Sequence, residues 1–149
     1  MGEGRNIFET QCQAIVNPVN CEGVMGAGLA LKFKQRYPSA FLEYQDACRK
    51  KLIVPGRCLV SFLGGTAGPR WAVQFPTKDR WRSPSRMEFI DAGLVDLVAM
   101  VRLHAMPSIA IPALGCGLGG LDWRTVKGKI ETAFAPHQGQ VVVEIYDPQ

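Results

Sequence analysis

The stretch CEGVMGAGLALKFKQRYP, residues 21–38, decides how this chain folds and where a ligand would bind. Three glycines, Gly23, Gly26 and Gly28, stand within six positions, and an apolar and basic run of helical spacing follows them. Glycine costs conformational entropy on folding, so its use here indicates a tight turn or the close approach of a ligand. Unpaired backbone N–H groups at the start of a helix attract anions. The stretch therefore predicts an anion-binding loop and a helix that ends before Pro38.

Short apolar runs and helical patterns alternate along the rest of the chain. Strands are predicted at residues 13–19, 57–63, 70–75, 108–114 and 140–146. Further helices are predicted from near Pro38–Ser39 to Lys51, after Ser85, and from 122 to 134. Ser85 with Glu88 three residues later matches a capping box, and Asp122 is predicted to cap the last helix. The alternation indicates an α/β domain with helices on both faces of a mixed, mostly parallel sheet. The length of 149 residues predicts a single domain, residues 1–149.

A second glycine-rich loop, GCGLGG at residues 115–120, follows the predicted strand at 108–114. Ligands of such sheets bind outside the carboxyl ends of the strands, where both loops fall, so one ligand could contact both. Backbone N–H groups on two sides would suit a diphosphate. The first loop lacks the third glycine of the dinucleotide pattern GxGxxG, and the chain has no P-loop pattern, which disfavours Rossmann dehydrogenases and P-loop enzymes. Purely structural roles for the loops remain the alternative.

Asn17 and Asn20 lie at the end of the first predicted strand. An amide side chain can both donate to and accept from a sugar hydroxyl, so both residues are candidates for binding a sugar. The alternative is that they are turn residues, since asparagine adopts loop conformations readily.

The positive charge of the chain is concentrated in one segment. Between Arg70 and Arg86 five basic residues stand against Asp79 alone, so this segment carries the whole net charge of +4. Such a concentration indicates an anionic partner, with a merely solvated loop as the alternative.

The composition argues against a metal site and against a membrane protein. The five cysteines form no CxxC pair and have no nearby histidines, so we expect reduced thiols, with no metal and no cofactor. No apolar run is long enough to cross a membrane and no signal pattern opens the chain, so we expect a cytoplasmic protein with no membrane partner.

Three stretches together resemble the macrodomain family: AIVNPVNCEGVMGAGLALKFKQRYP, FPTKDRWRSPSRMEFI and IPALGCGLGGLDW. They are most similar to its branch of antitoxins that act as DNA ADP-ribosyl glycohydrolases. The resemblance covers the chain from about Ile7 to the final YDP and implies a three-layer α/β/α sandwich that binds ADP-ribose.

The resemblance also implies the parts of the ADP-ribose site. Asn20 would hold the distal ribose, residues 23–28 would line the ribose and diphosphate, and residues 115–118 would close over the diphosphate. Asn6 stands where many members carry an aspartate that contacts adenine. The full set of implied ADP-ribose-binding residues is Asn6, Ile7, Asn20, Gly23, Val24, Met25, Gly26, Gly28, Thr77, Gly115, Cys116, Gly117 and Leu118.

Lys78, in the FPTK motif, is the candidate catalytic residue. Neighbouring positive charge and partial burial both disfavour an ammonium ion, and a neutral amine can attack the aldehyde of a ring-opened ribose. The branch uses a lysine at this motif to release ADP-ribose from thymidine bases of single-stranded DNA, by covalent attack or by proton transfer. A phosphate-binding lysine on a solvated loop is the alternative.

The surroundings of Lys78 favour the DNA-directed reaction. A related hydrolase of protein-linked ADP-ribose carries an aspartate where this chain has Gly119. Arg80, Trp81 and Arg82 could contact the DNA through phosphate pairing and base stacking, although Trp81 could instead pack into the core. The general acid is not identified, because Asp79 and Asp122 could be surface or cap residues.

Two other functions remain open at this point. The chain could hydrolyse ADP-ribosylated protein carboxylates or small ADP-ribose derivatives, or it could bind ADP-ribose without catalysis. The resemblance to an antitoxin implies a cognate DNA ADP-ribosyltransferase toxin as a partner.

Overall fold

A five-stranded mixed sheet forms the centre of the fold in the computed structural model, which describes residues 6–64 and 67–148. The strands are β1 (Ala14–Val19), β2 (Leu59–Phe62), β3 (Trp71–Pro76), β4 (Ser108–Ile111) and β5 (Val142–Ile145). Their order across the sheet is β2-β3-β1-β4-β5, with β2 antiparallel to β3 and every other neighbouring pair parallel. The GGTAGP turn predicted between β2 and β3 contains residues 65 and 66, which lie outside the described residues.

Two helices cover each face of this sheet. They are α1 (Gly28–Arg36), α2 (Pro38–Arg49), α3 (Met87–Leu103) and α4 (Trp123–Phe134), and two short 3-10 helices span Ile7–Glu9 and Ala135–His137. The core cluster containing α1 and α2 includes Ile15 of β1, and the cluster containing α3 and α4 includes Val16, the next residue. Because successive side chains of a strand point to opposite faces, β1 is buried on both sides. The predicted three-layer α/β/α sandwich is confirmed.

Close packing holds α3 against β3. Gly93 of α3 faces the ring of Phe75, and a Cβ at Gly93 would lie 2.6 Å from Phe75 Cε1. The glycine therefore lets the helix approach the strand that leads to Thr77 and Lys78.

Several boundaries differ from the prediction for local physical reasons. α2 begins at Pro38 as predicted, since proline fits the first turn of a helix, but it ends at Arg49 rather than Lys51. β4 ends at Ile111 rather than Leu114, because Pro112 has no N–H to donate to a neighbouring strand. Asp122 caps α4 as predicted, with its carboxylate accepting from the Thr125 N–H.

The predicted capping box at Ser85 is wrong. α3 begins at Met87, its cap residue is Arg86, and no side chain bonds to the cap. The Ser85 hydroxyl instead donates to Thr77 Oγ1 at 3.2 Å. Ser85 therefore forms a tertiary hydrogen bond with Thr77 instead of capping α3, as the local sequence pattern predicted.

In the part of the chain that the structure describes, no helix has the length and apolar character needed to cross a membrane.

Candidate functional site

A cleft of about 1180 Å³ opens along the carboxyl ends of the four parallel strands. Its walls include Lys78 after β3, Asn20 after β1, residues 112, 113, 115 and 117–119 after β4, and residues 146–148 after β5. The order of these strands places Lys78 and Asp147 at opposite ends, three strand spacings or about 14 Å apart. The cleft can therefore receive an elongated ligand that crosses β1 and β4.

Asn20 organises the first glycine loop. Its Nδ2 donates to the Val24 carbonyl at 2.8 Å, and its Oδ1 accepts from the Glu22 N–H at 2.9 Å and the Val24 N–H at 3.4 Å. The Tyr44 hydroxyl donates to the Asn20 carbonyl and side chain, at 2.7 and 2.9 Å. Burial raises the pKa of Tyr44, so this donor keeps its proton. The loop thus has a fixed shape before any ligand enters.

The first loop presents an uncapped helix end to the cleft. Ala27, the cap residue of α1, makes no side-chain hydrogen bond to the first turn, which leaves N–H groups without helical partners. Gly28 has φ +58°, a left-handed conformation that favours glycine. A Cβ at Gly28 would meet nothing within 4 Å, and one at Gly26 would meet only Val24. This backbone is open to an anionic ligand.

The second glycine loop, residues 115–120, is packed more tightly. A Cβ at Gly119 would overlap Ser85 Oγ and lie 2.5 Å from the Gly115 carbonyl oxygen. Gly115, at φ +72°, would place a Cβ 2.7 Å from Leu121 and 3.0 Å from Ser85. No hydrogen bond within residues 6–64 and 67–148 uses the N–H groups of residues 117–119. The loop is therefore held in place by its packing against Ser85 and Leu121, and the N–H groups of residues 117–119 remain available as donors to a ligand.

The loop carrying Lys78 is anchored to both glycine loops. Its Asp79 carbonyl accepts from the Cys21 N–H at 2.8 Å, and the Trp81 N–H donates to Glu22 Oε1 at 2.7 Å. The Ser85 N–H donates to the Gly119 carbonyl at 3.1 Å. Lys78 itself is partly buried at the end of the cleft, and its amine has no hydrogen-bond or ion-pair partner among the described residues.

The basic segment does not form a single patch. Arg70 precedes β3 and Lys78 follows it, so the two residues lie at opposite ends of this strand. The six extended residues of β3 span about 20 Å. Arg86 pairs with Glu88 and stacks on Phe89. Of the five basic residues in this segment, Lys78, Arg80 and Arg82 are the three that follow β3 and form no ion pair in the described part of the chain.

Trp81 lies at the mouth of the cleft with 49% of its surface exposed, outside both core clusters. Its packing into the core, one of the two alternatives, is thus excluded. The Arg82 guanidinium stacks on the indole, with Cζ 4.6 Å from the ring centroid.

Most of the predicted site residues line the cleft. They are Asn6, Ile7, Asn20, Val24, Gly26, Gly28, Thr77, Lys78, Gly115, Gly117, Leu118, Trp81 and Arg82. Asn6 also caps the first 3-10 helix by accepting from the Phe8 N–H.

Four predicted residues do not line the cleft. Gly23, at φ +86°, packs against Gln45 of α2, and the Met25 side chain is buried in the core. Cys116 is partly buried beside the loop, where burial raises the pKa of its thiol to about 11. Arg80 is exposed outside the cleft.

Asn17 is not a sugar-binding candidate in the structure. It is fully buried in β1, where its Nδ2 donates to Gln74 Oε1 at 3.0 Å. Only Asn20 of the two asparagines reaches the cleft.

Sequence reasoning missed several cleft residues, among them Lys32, Ser85, Tyr146 and Asp147. Lys32 lies one turn into α1, and this closeness to the glycine loop could have identified it as a cleft residue. Tyr146 and Asp147 belong to no motif and reach the site only through the pairing of β5 with β4.

The carboxylates of the site are few. Asp147 is the one acidic residue that lines the cleft in the described part of the chain. Asp79 lies outside the cleft, and Asp122 is a helix cap whose pKa is lowered by its hydrogen bonds to Thr125. Across residues 6–64 and 67–148, no group of His, Cys, Asp and Glu side chains could hold a metal ion.

Known proteins are similar to this chain in both sequence and fold. The Macro domain pattern matches residues 16–130. A DNA ADP-ribosyl glycohydrolase of Thermus aquaticus is 44% identical over 96% of this chain and 39% of its own length. The macrodomain of Mycobacterium tuberculosis DarG superposes with a TM-score of 0.95 at 42% identity, covering 98% of this chain and 95% of that one.

A third relative is a Thermosipho africanus protein, a DNA ADP-ribosyl transferase-DNA ADP-ribosyl glycohydrolase fusion. It is 35% identical over 96% of this chain and 40% of its own length. The structure of Thermosipho africanus DarTG in complex with ADP-ribose superposes with a TM-score of 0.87 at 33% identity, covering 96% of this chain and 40% of that one. The chain thus spans about two fifths of the length of these curated relatives. On the match over residues 16–130 and the fold it shares with the DarG macrodomain, this chain belongs to the Macro domain family.

Proposed function

We propose that the chain binds ADP-ribose along the cleft, with adenosine near Asn6 and Ile7 and the distal ribose near Asn20 and Lys78. The diphosphate would bridge the open N–H groups of the two glycine loops, which face the middle of the cleft. The distance of about 14 Å between the outer strands suits an extended dinucleotide-like ligand. The Thermosipho africanus neighbour, whose structure contains ADP-ribose, supports this assignment.

We further propose that the chain removes ADP-ribose from thymidine bases of single-stranded DNA, with Lys78 as the catalytic residue and residues 1–149 as one macrodomain. One observation carries this proposal: a partly buried lysine amine with no described partner lies at the end of the cleft. The DNA ADP-ribosyl glycohydrolases among the relatives supply the substrate class.

The chemistry of a free amine fits this position. No carboxylate pairs with the Lys78 amine in the described part of the chain, so no ion pair has to break before the amine reacts. In the covalent route the neutral amine attacks C1″ of the ribose, the bond to the base breaks with its electron pair on the base, and the base takes up the proton that the amine releases. The C1″–O4″ bond of the amine adduct then breaks, O4″ takes a proton, and the resulting imine is hydrolysed by water to ADP-ribose and the free amine. In the proton-transfer route the same amine serves as a base.

The protein-directed reaction has less support from the geometry. At Gly119, where the related hydrolase carries its aspartate, a side chain would overlap Ser85 and the Gly115 carbonyl. This loop therefore offers no room for that carboxylate.

A side-by-side hydrolysis assay tests the proposal. The chain is incubated with an ADP-ribosylated thymidine oligonucleotide, ADP-ribosylated protein and ADP-ribose esters, and release of ADP-ribose is followed. We expect release from the oligonucleotide, and Lys78→Ala should slow it by about 100-fold or more while ADP-ribose still binds. Lys34→Ala, on α1 but outside the cleft, is the control. Wild-type rates in Lys78→Ala, or binding without any release, would refute the catalytic assignment.

We propose that Arg80, Trp81 and Arg82 contact the DNA beside the reacting nucleotide. The exposed indole offers a stacking surface and the arginines can pair with phosphates. Arg82→Ala should weaken DNA binding and lower its dependence on salt, whereas Arg70→Ala, at the far edge of the sheet, should change neither. Equal effects of the two variants on a salt titration would contradict this surface.

We also propose a DNA ADP-ribosyltransferase as the functional counterpart of this chain, supported by the fused Thermosipho africanus relative. Co-expression with such a transferase should lower the ADP-ribosylation of cellular DNA, and co-expression of Lys78→Ala should not. Unchanged DNA modification in the presence of the wild-type chain would refute the pairing.

A further inference from the structure

The Thr77 and Ser85 hydroxyls form a buried pair in the wall of the cleft. Thr77 is 2% exposed and Ser85 is 5% exposed, and both line the cleft next to Lys78. The Ser85 hydroxyl donates to Thr77 Oγ1 at 3.2 Å. This bond replaces the helix cap that the sequence pattern predicted for Ser85.

One proton of this pair is left to donate elsewhere. Each hydroxyl has a single proton, and the shared bond uses the proton of Ser85. The Thr77 proton has no acceptor in the described part of the chain. A buried donor without a partner is unfavourable, so an incoming oxygen would gain by accepting from it.

Backbone contacts hold both residues firmly. The Thr77 N–H donates to the Val19 carbonyl at 2.9 Å, and the Thr77 carbonyl accepts from the Arg86 N–H at 3.1 Å. The Ser85 N–H donates to Gly119, and the Ser85 side chain fills the space where Gly115 and Gly119 lack a Cβ. The positions of the two hydroxyl oxygens are therefore fixed by the loop junction.

We infer that Ser85 is a positioning residue. It makes no hydrogen bond to the ligand, but its bond to Thr77 leaves the Thr77 hydroxyl proton to donate to an oxygen of the distal ribose. The inference rests on the proposed binding of ADP-ribose. Thr77 follows β3, beyond β1 and β4 where the diphosphate would lie, so the sugar past the diphosphate is the part of the ligand that reaches it.

Isothermal titration with ADP-ribose and with ADP, which lacks the distal ribose, tests the inference. Thr77→Val removes the hydroxyl with little change of shape, and Thr77→Ser retains it. We expect Thr77→Val to weaken ADP-ribose binding by about 3- to 10-fold, the effect of one neutral hydrogen bond, with ADP binding unchanged. Thr77→Ser should bind both ligands like the wild type.

Ser85→Ala should produce a smaller loss for ADP-ribose and none for ADP, because its N–H still holds Gly119. The double variant Ser85→Ala/Thr77→Val should be no weaker than Thr77→Val, since Ser85 acts through Thr77. Additive losses, or equal losses for ADP and ADP-ribose, would overturn the inference. Failure of the wild type to bind ADP-ribose would overturn the proposed function as well, and a thermal melt of each variant separates misfolding from both.

Discussion

The two glycine-rich loops use the same residue for different physical reasons. In the first loop, Gly26 and Gly28 face open space, and a Cβ at Gly28 would touch nothing. In the second loop, Gly115 and Gly119 are packed against Ser85, Leu121 and each other. Glycine at positions 26 and 28 leaves room for a ligand and permits a left-handed turn, whereas glycine at positions 115 and 119 makes room for the protein itself.

This difference predicts which substitutions affect folding and which affect binding. A side chain at Gly115 or Gly119 must move its neighbours, so it should lower the free energy of unfolding before any ligand is considered. A side chain at Gly26 or Gly28 should affect folding much less and obstruct the ligand.

The largest expected effect is at Gly119. Gly119→Ala places a methyl group on Ser85 Oγ and the Gly115 carbonyl, and should lower the free energy of unfolding by about 3 kcal/mol. Gly117→Ala, in the same loop but with open space around it, is the matched control and should cost less than about 1 kcal/mol. Urea denaturation measures both. Equal stability of the two variants would show that the loop relaxes and that the contrast between the loops is false.

A smaller effect is expected at Asn20, which holds the first loop from inside. Asn20→Ala leaves the donors of Glu22, Val24 and Tyr44 without this acceptor and should cost about 2 kcal/mol. Asn20→Asp retains the acceptor oxygens and should lose less in the same denaturation experiment. If the aspartate variant were as unstable as the alanine variant, the acceptor contacts would not be what holds the loop.

The smallest effects on folding are expected at Gly26 and Gly28. Gly28→Ala must adopt φ +58° and should cost about 1 kcal/mol, while Gly26→Ala should stay within about 0.5 kcal/mol of the wild type. Calorimetry should nevertheless show weaker ADP-ribose binding by Gly26→Ala, because its methyl group occupies the cleft. Unimpaired binding would mean that the ligand does not approach this backbone.

The order of strands and helices could be predicted because each depends on local patterns. Alternation of apolar runs, Pro38 at the start of α2 and Asp122 at the start of α4 are all visible in a short window of sequence. The glycine loops and Lys78 were found in the same way, and the structure brings them to one cleft.

The errors came from contacts between distant residues. Ser85 has the spacing of a helix cap, but Thr77 competes for its hydroxyl after the loop closes. Arg70 and Lys78 are close in sequence, yet an extended strand separates them. Asp147 reaches the cleft only because β5 pairs with β4, and no sequence motif predicts this pairing.

The placement of the two ends of the described chain has a consequence for longer arrangements of this fold. Residues 6–8 and 146–148 line the same end of the cleft, and Thr10 bonds to Glu144 at 2.8 Å just below it. Residues 6 and 148, the two ends of the described chain, therefore lie at the end of the cleft away from Lys78. In relatives more than twice as long as this chain, an attachment at these positions would join the fold at the end of the cleft opposite the surface proposed to contact DNA.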